Sequence, residues 1–267
     1  MKNINTYNEL GETLLMIASQ GKGTDIVELL LNNGADVNAS SDSGTALFNI
    51  VTRSNFLYCD EGTALVKLLM SKSVGIDIPN SEGKTPIMES ISEGCLDVFK
   101  LLLANGADIN AHDKEGRNAL YIAITEKEYD ILKLLLKNRV IFSLPRLQET
   151  DSEYGSLLNS LCWQGILLGY PDKVKNGCEQ AVKLKPDNGD TRDSRGLVRA
   201  LTNDINGAIE DFEAYVNWLN TGKGIASEKT RAQRESWIKD LRAEKNPFTP
   251  ELLSTLRKGS EGYWSYK

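Results

Sequence analysis

The chain has 267 residues, 40% hydrophobic and 25% charged, with a net charge of −6, four cysteines and one histidine. That is enough apolar material to bury a core without a metal or a disulfide scaffold. No apolar run approaches the ~20 residues of a membrane span, and the N-terminus lacks the apolar core of a secretory signal, so the expected compartment is the cytosol.

Charge is unevenly spread. Residues 1–142 carry 13 Lys+Arg and 19 Asp+Glu, and the remainder carries 18 of each. An acidic first half repels phosphate backbones, which argues against nucleic acid as its partner. Cys59, Cys95, Cys162 and Cys178 form no closely spaced pair. They read as isolated, mostly buried thiols rather than as a metal or redox site.

Four segments of the first half repeat one another. Gly11–Asn38, Gly83–Asn110 and Gly116–Phe142 align closely, and a fourth copy lies at Thr45–Pro79. Each reads as a short helix, a turn, a second helix (IVELLL, FKLLL, ILKLLL) and a loop. Gly34 and Gly106 end second helices, because glycine tolerates the left-handed conformation of that cap. Asp36, Asp77 and Asp108 follow in loops. One helix pair cannot bury its apolar face alone, and stacking several does. The second copy is longer, with an insertion near 54–62 (SNFLYCDEG). Its aromatics, including Phe56 and Tyr58, either contact a partner or fold back over their own helices. The string QGKGTD lacks P-loop spacing and reads as the turn between two repeat helices.

Residues 143–154 read as a junction containing Pro145. Beyond it a period of 34 relates Cys162 to Gly196, Val174 to Ala208, Cys178 to Phe212 and Ala181 to Tyr215. Small residues at such positions let two helices approach, and the aromatic fills the space between units. Asp187, Asp190, Arg192, Asp193, Arg195 and Arg199 form a dense mixed-charge stretch, read either as a peptide groove or as a solvated helix face. Ser227 starts a helix to about Ala243. Thr249 then precedes Pro250, an N-cap with proline at the first helical position, and opens a helix to about Lys258. Trp264 in the aromatic ending either docks back or forms a partner-binding tail.

The strings GADVN, GADIN and TPIM and the LLL helices resemble the ankyrin repeat. That resemblance implies a protein-binding scaffold over about half the chain. The family's TPLH tetrapeptide appears here as TLLM, TALF, TPIM and NALY, never with histidine. Loss of the hydrogen bonds that histidine supplies implies looser loops. Residues 155–222 resemble two degenerate tetratricopeptide (TPR) hairpins of a type found at the ends of bacterial proteins. Arg192 and Arg199 depart from that pattern.

These readings give an all-α chain: an ankyrin-repeat solenoid at 1–142, the junction, TPR-like hairpins at 155–222, and terminal helices at 223–267. No cofactor or metal is expected. With His112 as the sole imidazole and no GxSxG string, no catalytic constellation stands out. The expected function is a non-catalytic adaptor or regulator, a monomer, binding a protein with a basic or polar surface. An inhibitor or immunity protein, an enzyme with an unrecognised site in the second half, and a self-assembling solenoid remain alternatives. The candidate contacts are the loop tips Asp42, Ser43, Glu82, His112, Asp113 and Lys114, the short helices' Met16, Phe48, Met88, Glu89 and Tyr121, and the insertion's Phe56 and Tyr58.

Overall fold

The computed structural model describes residues 3–21, 24–53, 59–138, 140, 151–222, 224 and 227–264. The chain divides into two compact units, 1–147 and 148–267.

In the first unit the short helices are α1 (Leu14–Gln20), α3 (Ala46–Arg53), α5 (Pro86–Ser92) and α7 (Ala119–Thr125). Their partners are α2 (Thr24–Asn32), α4 (Cys59–Met70), α6 (Leu96–Ala104) and α8 (Tyr129–Lys137). First helices stack on first helices, and α4, α6 and α8 stack likewise. The apolar residues follow the phase this requires. Leu15 and Met16, Leu47 and Phe48, and Ile87 and Met88 are buried, as are Ser19, Val51 and Ile91 one turn later. Three short helices open on a side-chain cap. Backbone N–H groups of Met16, Phe48 and Tyr121 donate to Thr13 Oγ1, Thr45 Oγ1 and Asn118 Oδ1 at 3.4, 3.2 and 2.9 Å. Gly34 and Gly106 take φ of 84° and 88° at the ends of second helices, the left-handed caps the sequence implied.

The repeats are joined by projecting loops, one of which contains a small exception to the all-α expectation. β1 (Ser40–Ser41) and β2 (Gly44–Thr45) pair antiparallel, with Ser40 opposite Thr45. The other fingers are closed by side chains. Asn8 Oδ1 accepts from the N–H of Leu10 and Glu12 (2.9 and 2.8 Å), and Asn80 Oδ1 from Glu82 and Lys84 (both 3.0 Å). Asp113 Oδ1 accepts from Glu115 and Arg117 (3.0 and 2.8 Å). Neighbouring fingers are tied tip to tip: Ser81 N–H donates to Asp42 O, and Lys114 N–H to Glu82 O, each at 2.9 Å. A second ladder runs along the bases. Asn5, Asn38 and Asp77 each accept, through a side-chain oxygen, the N–H of Asp36, Gly75 and Asp108 at 2.7, 2.6 and 3.0 Å. Asparagine and aspartate side chains thus hold the loops of repeats that lack the TPLH histidine.

In the second unit α9 (Asp151–Leu167) packs on α10 (Pro171–Leu184), and α11 (Gly189–Leu201) on α12 (Ile205–Asn220). Gly196 is needed at the second crossing, since a Cβ there would lie 3.0 Å from the Phe212 ring. α13 (Glu228–Arg242) starts on its Ser227 cap, whose hydroxyl accepts the Thr230 N–H at 3.1 Å. α14 (Pro250–Trp264) follows Thr249 and runs past the expected end at Lys258. A core of aromatic rings, Phe212 and Phe248 each meeting Trp237 edge-on, joins α12, α13 and the segment before α14.

Candidate functional site

The structure separates the thirteen candidate residues sharply. Asp42, Ser43, Glu82, His112 and Lys114 are exposed at finger tips, and Glu89 and Tyr121 are half-buried on short helices. Four others must be corrected. Met16, Phe48 and Met88 are 0%, 4% and 1% exposed, so they belong to the core between stacked repeats rather than to a contact face. Their position, one turn before a second buried residue of a short helix, puts them on the packed side. Asp113 is also buried, because its carboxylate ties its own finger and takes a 2.7 Å bond from Arg117 Nε. Phe56 and Tyr58 lie outside the described residues, as do Lys22 and Gly23 of QGKGTD and the side chain of Trp264. At the far end of the insertion, Cys59–Gly62 form the first turn of α4 rather than a loop.

The most unusual feature of the first unit is a group of carboxylates that sequence reasoning largely missed. Glu89 on α5 has its carboxyl raised above the ordinary 4.5, first by burial and then by Glu82, while Lys84 and a hydrogen bond with Thr52 oppose the rise. Glu93, four residues on, is raised by burial and by Glu89. Glu128, before α8, is raised by burial and by Asp130 and Glu126. The two repeats meet here, for a Cβ on Gly94 would lie 3.2 Å from the Glu128 carboxylate. Glu93 and Glu126 are also the C-caps of α5 and α7. A helix C-terminus carries partial negative charge and favours a cation, so each carboxylate stands at the wrong end of its helix. Only Glu89 was a sequence candidate. The signal for the rest was present: the i, i+4 pair Glu89/Glu93 in MESISEG and the acidic turn TEKEYD.

The charged stretch of the second unit divides: Asp187 and Asp190 are exposed, whereas Arg192, Asp193, Arg195 and Arg199 make internal ion pairs. Asp211 on α12 is fully buried and gathers three arginines of α11. Arg195 binds it twice, Nε at 2.8 Å and Nη2 at 2.6 Å, with Arg199 at 3.1 Å and Arg192 at 3.3 Å. Glu179 of α10 takes Arg195 and Arg199 at 2.9 and 3.1 Å. Burial pulls the Arg195 guanidinium down, but hydrogen bonds and charge from Asp211 and Glu179 leave it above its ordinary value. Arg192, Arg195 and Arg199 recur at helical spacing on one side of α11, which is why the departures from the TPR pattern fall together. Asp193, on another side of α11, holds buried Arg234 of α13 by two bonds of 2.8 and 2.7 Å, under the Trp237 ring.

The cysteine reading is also corrected. Cys59 pairs with Cys95 and Cys162 with Cys178, and no free cysteine remains among the described residues. Cys59 opens α4 and Cys95 immediately precedes α6, so a separation of 36 residues, about one repeat, becomes proximity (Cα–Cα 5.7 Å). Cys162 and Cys178 face each other across the α9–α10 crossing. Persistent disulfides belong to oxidising compartments rather than to a reducing cytosol. Among the described residues, no group of three or more His, Cys, Asp or Glu side chains could hold a metal ion, and no helix is long and apolar enough to cross a membrane.

Stacked helix pairs with hydrogen-bonded fingers define a helical repeat array. The family model described as Ankyrin repeats (3 copies) matches residues 56–143, and that described as Ankyrin repeats (many copies) matches 2–51. The first unit thus carries ankyrin repeats, which in general mediate protein–protein interaction. No curated protein matches the chain.

Proposed function

We propose that the first unit holds a protein partner that presents lysine or arginine side chains, seated on the third and fourth repeats. The chain then serves as a non-catalytic adaptor or regulator. The observation that carries this reading is the carboxylate group of Glu89, Glu93, Glu126 and Glu128. The like charges Glu89 and Glu93, four apart on a helix, oppose folding, as do the anions Glu93 and Glu126 at helix C-termini. Residues that cost stability at a surface are expected where function needs them. A cation placed among them offsets both penalties. The exposed finger tips Asp42 and Glu82 extend the same sign of charge and raise the rate of encounter.

In the same reading, the second unit consists of two degenerate TPR-like hairpins, α9–α10 and α11–α12, followed by accessory helices. The 34-residue period and the small–aromatic packing of Gly196, Ala208 and Phe212 support it. Arg192, Arg195, Arg199 and Arg234 are held internally by Asp211, Glu179 and Asp193, and the second half carries no net charge, which makes the acidic first unit the better place for an ionic contact.

The test is selection of a random peptide library on the full chain and on the E89Q/E93Q/E128Q variant. Peptides bound to the native protein should include lysine- and arginine-rich sequences that the variant no longer selects. Equal enrichment on both proteins would refute the proposed seat.

A further inference from the structure

Repeats of a stacked array bury their apolar helix faces against neighbouring repeats. The first repeat here exposes apolar residues on its outer side. Leu14 and Ile17 on α1 are 53% and 43% exposed, and Ile26 and Leu29 on α2 are 56% and 62% exposed. Both pairs have i, i+3 spacing, so each helix shows an apolar stripe. Leu10, at the adjoining finger tip, is also exposed. In later repeats the Leu14 and Ile26 positions are covered, and Leu101 and Leu134, in the register of Leu29, are half-buried. Pro86 and Ala119 stand where Leu14 does, Val98 and Ile131 where Ile26 does, and all four are buried. In those repeats the preceding first helix packs alongside, α1 on α3, α3 on α5 and α5 on α7. The first repeat therefore keeps the residues of a repeat-to-repeat joint with nothing described on its outer side.

We propose that this outer face of the first repeat docks an amphipathic helix of a partner protein, whose apolar stripe is flanked by lysine or arginine. A helix is what the equivalent face accepts elsewhere in the array. The flanking charge follows from the rim. Glu9, Asp25 and Glu28 are exposed around the stripe, and residues 1–36 carry five acidic side chains against two lysines, Lys2 and Lys22. The same rim disfavours a second copy of this chain, since a two-fold pairing would set acidic rims against each other. This surface differs from the carboxylate seat of the third and fourth repeats and stands or falls separately.

The test uses the full chain and two fluorescent amphipathic helical peptides with the same leucine stripe, one flanked by lysines and one by glutamates. The lysine peptide should bind at least about tenfold more tightly, and I26S/L29S should weaken it by about tenfold or more. Those two side chains are exposed, so an unchanged circular dichroism spectrum is expected for the variant. The E89Q/E93Q/E128Q variant should bind the lysine peptide as the native chain does, which separates this site from the other. Equal affinity for both peptides, no binding, or binding indifferent to I26S/L29S would overturn the proposal. So would a concentration-dependent dimer that I26S/L29S abolishes, which would assign the face to a second copy.

Discussion

Asp211→Asn tests the charged joint of the second unit most severely. The substitution preserves side-chain shape but removes the charge that three arginines share. Asp211 is fully buried, and its two oxygens accept four guanidinium N–H bonds of 2.6 to 3.3 Å. An asparagine offers one acceptor oxygen and turns an NH2 group toward the arginines. Removing one partner of a buried ion pair costs about 3–5 kcal/mol, because the remaining charges stay buried without compensation. With a urea dependence of about 1–3 kcal/mol/M, the unfolding midpoint should fall by roughly 2 M. Trp163, Trp218, Trp237 and Trp264 all lie in the second unit, so tryptophan fluorescence reports its unfolding selectively. Glu179→Gln is the control. The Glu179 side chain is 38% exposed, and its loss should cost about 1 kcal/mol or less, as for solvent-accessible pairs. A D211N midpoint no lower than that of E179Q would mean that the network behaves as surface charge and that the burial argument is wrong.

Arg234→Met should destabilise the second unit by about 3–5 kcal/mol by stranding Asp193, and D193L/R234M should recover much of the loss, as read in a fluorescence-detected double-mutant cycle. Asp113→Ala should cost the first unit about 1–3 kcal/mol in thermal or urea unfolding, since buried finger N–H groups lose their acceptor, whereas Glu115→Ala at the exposed tip should stay within about 0.5 kcal/mol. Glu89→Gln should stabilise the first unit at neutral pH. Its folded carboxyl is raised above the unfolded 4.5, so the native glutamate loses stability as pH rises through that window, and the variant's advantage should vanish below it. Replacing Cys162 and Cys178 by alanine, or reducing the native protein, should cost the second unit about 3 kcal/mol on the chain-entropy model for a loop of 16 residues, measured by the same urea titration.

What the sequence made legible is local in origin. The repeat strings encode a helix pair, its left-handed cap and its loop within one short stretch, so Gly34, Gly106 and the second helices could be placed directly. Ser227 and Thr249 announced α13 and α14 for the same reason: a cap and its helix are neighbours in the chain. The misreadings concern groups whose partners are distant. Nothing beside Asp211 indicates that arginines 12 to 19 residues earlier will converge on it, or that Arg234 will reach Asp193 across 41 residues. Cys59 and Cys95 look unrelated until the repeats stack. Met16, Phe48 and Met88 were placed on the wrong side because a helix of seven or eight residues shows too few turns to set its phase. The carboxylate group was half legible. The Glu89/Glu93 spacing is visible in one repeat, but the approach of Gly94 to the Glu128 carboxylate arises only from the register between two repeats.

The account rests on cations reaching Glu89, Glu93 and Glu128, and carboxyl-detected NMR titration of these three groups tests that directly. In the free protein their pKa values should lie above the ordinary glutamate range. With a saturating lysine- or arginine-rich peptide that the native chain selects and the E89Q/E93Q/E128Q variant does not, all three should fall, because a nearby cation favours the ionised form. If the peptide binds while these three titrations stay where they were, the partner's charge goes elsewhere and the proposed seat is wrong.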